Sequence, residues 1–121
     1  LVAWNGGAEA LRAVRAAMPL LRGANRVHVV LVDPPRQGPN RSDPGGVLAQ
    51  YLSRHGVKAE IDILAKTRNR VSDVLLRHAG DTAAQMIVMG AYGHSRFREA
   101  ILGGATRNML EQTDVPVFMA H

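Results

Sequence analysis

The sequence predicts an α/β fold on an open, mostly parallel sheet, and three patterns predict it. Short apolar runs alternate with amphipathic stretches of helical period along the whole chain, which is the signature of βαβ units. The run Met86–Met89 (MIVM) has the unbroken apolar character of a strand buried on both faces. Glycines 90, 93, 103 and 104 then punctuate MGAYGHSRFREAILGGATRNM, Met89 to Met109. A strand ending in glycine, a loop and a glycine-opened helix bring bare backbone N–H groups against phosphate, at the sheet edge where such folds bind ligands.

The elements follow in order. Leu1–Trp4 (LVAW) is the first strand, turned by Asn5-Gly6-Gly7, after which Leu11, Val14, Met18 and Leu21 lie on one face of a helix. Pro19 removes a backbone donor and distorts that helix's last turn. Val27–Val32 (VHVVLV) is the most apolar strand. It is closed by Asp33 and followed by PPRQGPNRSDPGG, a lid or variable loop carrying four of the six prolines. Asp43 and Pro44 read as N-cap and first residue of a helix whose buried face is Leu48, Tyr51, Leu52 and His55, ending at Gly56. Lys58–Leu64 alternates as a strand. After the basic loop of Lys66, Arg68 and Arg70, a helix presents Val71, Val74, Leu75 and His78 and ends near Gly80. Met86–Gly90 is the fourth strand, and Thr106, Met109, Leu110 and Thr113 have helical spacing. Val115–Ala120 (VPVFMA) is the fifth strand; Pro116 places it at a sheet edge, where a missing N–H does least harm. Apolar on both faces, that edge calls for a cover, most simply the same strand of a second copy.

Composition narrows the function. A chain of 121 residues with 46% hydrophobic content suits one domain with one core. No apolar run approaches the roughly 20 residues of a membrane span, so the chain reads as soluble. Its zero cysteines exclude disulfides and thiol chemistry and agree with a cytoplasmic setting. The charge of +5 comes from 15 basic residues, all arginine except Lys58 and Lys66, scattered from Arg12 to Arg107. Without a continuous basic stripe or aromatic platforms, nucleic acid is not the expected partner. A G-x4-G-K-[S/T] loop is missing, as is a G-x-G-x-x-G after the first strand.

The histidines carry little by spacing. His28 reads as a satisfied strand residue, His55 and His78 as partly buried caps, and His121 is terminal. No HxxxH pair exists, so no metal is expected. His94, Ser95 and Arg96 are adjacent, but adjacent side chains do not face each other and no acid orients the imidazole. No catalytic residue is therefore assigned. Arg96 and Arg98 read as phosphate or surface charges. Trp4 stands at a strand end as a core residue, with stacking on a base as the alternative.

The whole chain resembles the universal stress proteins. Nucleotide-binding members carry G-x2-G-x9-G-[S/T] after the fourth strand, and Gly90, Gly93 and Gly103 match that spacing while Gly104 replaces the Ser or Thr. The resemblance implies a five-stranded parallel sheet with helices on both faces, Rossmann-like and of the adenine-nucleotide alpha-hydrolase type, dimerising through the last strand. The wording GAYGHSRFREAILGGATR is most similar to the second domain of bacterial tandem members, and a start inside a strand without Met fits a fragment or one unit of such a tandem.

What the resemblance implies for the site is ATP or a related adenine nucleotide at Asn5, Asp33, Met89, Gly90, Gly93, Gly103, Gly104, Ala105 and Thr106. Gly90 and Gly93 admit the backbone to ribose and phosphates, and residues 103–106 offer N–H groups at a helix start. Asp33 reaches a ribose hydroxyl or caps its loop. Gly104 lacks the hydroxyl for the outer phosphates. Asn5, where the family has Asp, is a poor ligand for Mg²⁺, which enters only with ATP. The expected function is a dimeric, nucleotide-responsive stress module with weak or conditional binding. It is not an enzyme beyond very slow hydrolysis, since no general base or arginine finger is evident. The alternative is an interaction scaffold whose glycines only pack the last helix on the sheet.

Overall fold

The computed structural model describes residues 1–34, 43–67, 70–91 and 104–121. Five parallel strands, β1 (Val2–Ala3), β2 (Val27–Val32), β3 (Ala59–Leu64), β4 (Ile87–Gly90) and β5 (Val117–Ala120), form one sheet in the order β3-β2-β1-β4-β5. Among the described residues the helices are α1 (Ala8–Ala16), α2 (Met18–Gly23), α3 (Gly46–Arg54), α4 (Val71–Asp81) and α5 (Ala105–Gln112).

Two cores lie on the two faces of the sheet, as a strand buried on both sides requires. Val2, Val29, Leu31 and Val88 meet Val14, Leu21, Leu48 and Leu52 from α1, α2 and α3. On the other face Val30, Ile87 and Met89 meet Leu75 and Ala79 of α4 and Met109 of α5. β1 is short by ladder pairs, yet its bonding runs over the expected Leu1–Trp4. Val88 N–H donates to the Leu1 carbonyl (2.8 Å) and Trp4 N–H to the Val30 carbonyl (2.9 Å).

Several local expectations are corrected. The single helix from Leu11 to Leu21 is two, joined at Ala17, because Pro19 cannot donate to a carbonyl of the preceding turn and the axis breaks there. Asp43 is not an N-cap. Its carbonyl accepts Gly46 N–H (3.1 Å) across Pro44 and Gly45, and Gly45 takes φ 79°, the positive value a type II turn demands of its third residue. Leu110 is 58% exposed, whereas Met109 of the same helix is fully buried in the second core. β5 is an edge strand paired to β4 alone, as Pro116 predicts, and its four residues are all half-buried.

Candidate functional site

In this strand order the chain moves outward from β1 through β2 to β3, then returns to the other side of β1 as β4. The crevice beyond the carboxyl ends of β1 and β4 is therefore the topological switch point, the place where open parallel sheets hold ligands. Asn5 follows β1, Asp33 follows β2, and Met89 and Gly90 end β4, so all four stand at this edge. Gly104 is the N-cap of α5, and Ala105 and Thr106 open that helix. Gly93 and Gly103 lie outside the described residues, as do His94, Ser95, Arg96 and Arg98.

The side chains and backbone at this edge have local duties. Asn5 Oδ1 accepts Gly7 N–H (2.8 Å), an Asx turn that leads into α1. Gly90 is held by packing: a Cβ there would stand 2.5 Å from Ala10 N and 2.7 Å from the Glu9 carbonyl carbon, so the first turn of α1 lies directly on the end of β4. Met89 is buried in the core under α4 and α5. Asp33 is exposed at φ 44°, in the left-handed region that Asp tolerates, and its N–H donates to the Leu64 carbonyl (2.9 Å). Trp4 packs half-buried on the first core. Arg70, just ahead of α4, donates to Asn108 Oδ1 on α5 (3.1 Å).

A second constellation sits elsewhere, on the face of β2 and β3 beneath α4. His28 Nδ1 and His78 Nε2 both donate to Asp62 Oδ2, at 2.7 and 2.8 Å. Glu60 Oε2 stands 3.6 Å from His28 Nδ1 and pairs with Arg26 through its other oxygen at 3.5 Å. The two rings meet edge to face at 6.2 Å. Burial alone would raise the Asp62 carboxyl, but the hydrogen bonds and charges of His78 and His28 hold it below the usual carboxylate range. His78 also lines an open groove with Leu64, Thr67, Arg77 and Asp81.

His78 is thus no helix cap, since its ring turns to the sheet; His55 does cap, its Nδ1 donating to the Tyr51 carbonyl (2.8 Å). Spacing along the chain could not find this cluster, because its members come from β2, β3 and α4. The legible hint was the alternation Glu60, Asp62, Leu64, which aims both carboxylates at one face beside His28.

The universal stress protein family model matches residues 1–121. The chain belongs to the universal stress protein family. Universal stress protein Slr1230 of Synechocystis sp. is 30% identical over 92 residues, 76% of this chain and 31% of that relative, so the match spans about a third of the relative's length. Among solved structures, a universal stress protein from Archaeoglobus fulgidus DSM 4304 superposes with TM-score 0.74 at 21% identity, covering 98% of this chain and 41% of that one. A universal stress protein in complex with cAMP gives TM-score 0.69 at 18% identity, over 99% of this chain and 94% of that one. These likenesses establish the five-stranded parallel α/β fold of a universal stress protein domain. No helix among the described residues is long and apolar enough to cross a membrane.

Proposed function

We propose that this chain is a dimerising, nucleotide-responsive stress module that binds ATP or a related adenine nucleotide weakly or conditionally, without turnover beyond slow hydrolysis. The observation that carries this reading is that Asn5 and Gly90 both stand at the crevice beyond β1 and β4, the switch point of the sheet. Gly93 and Gly103 continue the phosphate-loop spacing from Gly90 in sequence. The cAMP held by a similar structure is an adenine nucleotide and fits the same ligand class. The donors suit a nucleotide better than a metal, since Asn5 is neutral and its oxygen is already taken by Gly7. Mg²⁺ would enter only on ATP. Two such units pair, as a homodimer through Val115–Ala120 or as partner domains of a tandem chain, and the setting is the cytoplasm.

The scaffold reading keeps one specific support. Gly90 is demanded by α1 whether or not a ligand is present. Titration calorimetry with ATP, with and without Mg²⁺, separates the two when run beside Gly103→Val. The module reading expects binding near micromolar, about −8 kcal/mol, lost in the variant while sedimentation still shows the dimer. No heat up to millimolar ATP, or a variant that loses dimer and fold together, would favour the scaffold.

A further inference from the structure

We propose that His28, Asp62 and His78 form a binding site for a divalent transition metal of the zinc class, a clip that ties β2 and the edge strand β3 to α4. Nδ1 of His28 and Nε2 of His78 aim at one carboxylate oxygen, and the three ligand atoms lie within 4.8 Å of one another. Glu60 Oε2, 3.6 Å from His28 Nδ1, is within reach as a fourth donor. Two imidazoles with carboxylate oxygen select a borderline cation over Mg²⁺ or Ca²⁺, which take all-oxygen sets.

The geometry needs little change. Metal bonds of about 2.0–2.2 Å in a tetrahedron set donors about 3.3 Å apart, so the present 2.7 and 2.8 Å contacts open by about half an ångström. Small side-chain rotations supply this while the parallel ladder of β2 and β3 keeps its register. The metal takes the place of the two protons now shared with Asp62. A neutral ring moves its proton to its other nitrogen, and a protonated ring releases one. His28, Asp62 and His78 side chains are 18–24% exposed, buried enough to be held and open enough to solvent for an ion to reach them. The cluster stands apart from the crevice, for His28 is the second residue of β2, whereas the crevice lies past the strand's other end. Nothing in the nucleotide reading depends on it.

The test is zinc titration of the untagged, chelator-stripped full chain without nucleotide, with cobalt absorption reporting coordination geometry and thermal melts reporting stability. The expected result is one saturable site with intense tetrahedral cobalt bands and a zinc-dependent rise in Tm, with no response to Mg²⁺. His28→Gln and His78→Gln, checked as folded by circular dichroism, weaken zinc binding at least as much as the roughly 10–100-fold that loss of an outer-shell partner costs; His55→Gln, outside the cluster, leaves it unchanged. Undiminished zinc binding in the folded His28 and His78 variants, or no saturable binding in the parent chain, would overturn the proposal and leave the cluster a hydrogen-bonded ion pair.

Discussion

At the scale of single residues, Gly90 serves the packing of the fold while standing at the carboxyl edge of the sheet, beside the proposed nucleotide crevice. Its missing side chain is filled by the backbone of Glu9 and Ala10, which cannot swing aside as a flexible side chain would. Gly90→Ala is therefore expected to destabilise the chain by about 3 kcal/mol, the upper end for overpacking, read as a lower urea midpoint at unchanged slope. A neutral substitution would mean that α1 stands off from β4. The sequence marks Gly90 as special but not for what, because its spacing to Gly93 and Gly103 is visible along the chain and its contact with α1 is not. Asn5 has the same ambiguity: its place after β1 was legible, its bond to Gly7 was not.

Among elements, the strands were the most legible part: β2 and β4, covered on both faces, are written as apolar runs, and the edge strand β3 as an apolar-polar alternation. The helices were less so. Where a proline interrupts, as at Pro19, hydrophobic period continues across a break that backbone hydrogen bonding cannot cross. The joint between α4 and β3 was hidden, because Asp62 lies 34 residues from His28 and 16 from His78. That joint predicts a pH dependence. The folded state depresses the Asp62 carboxyl, so its contribution is complete above the unfolded carboxylate range and is lost as pH falls through the lower folded value. With chelator present, urea unfolding from about pH 6 down to about pH 3 should show stability falling faster in the parent than in Asp62→Asn. Near pH 6 the variant should be weaker by about 1.5–3 kcal/mol, the worth of a hydrogen bond to a charged group. Equal slopes would mean that Asp62 contributes nothing as an anion.

For the whole molecule, the two sheet edges are unlike. β3 (AEIDIL) carries two carboxylates, a device that discourages edge pairing, whereas β5 (VFMA) carries no charge and leaves every residue half-buried. The β5 edge is the one that invites a second unit, in line with the pairing proposed above. The opposite edge is tied down by α4 through Asp62. Between them the switch point beyond β1 and β4 stays at the centre of the sheet, away from both edges. The measurement that tests this account most directly is amide chemical-shift mapping of the chain titrated with ATP. Nucleotide binding at the switch point should shift Asn5, Gly6, Gly90, Gly104 and Thr106, with Glu60, Asp62 and His78 unmoved. No shifts at millimolar ATP, or shifts confined to the groove of Thr67, Arg77 and His78, would contradict it.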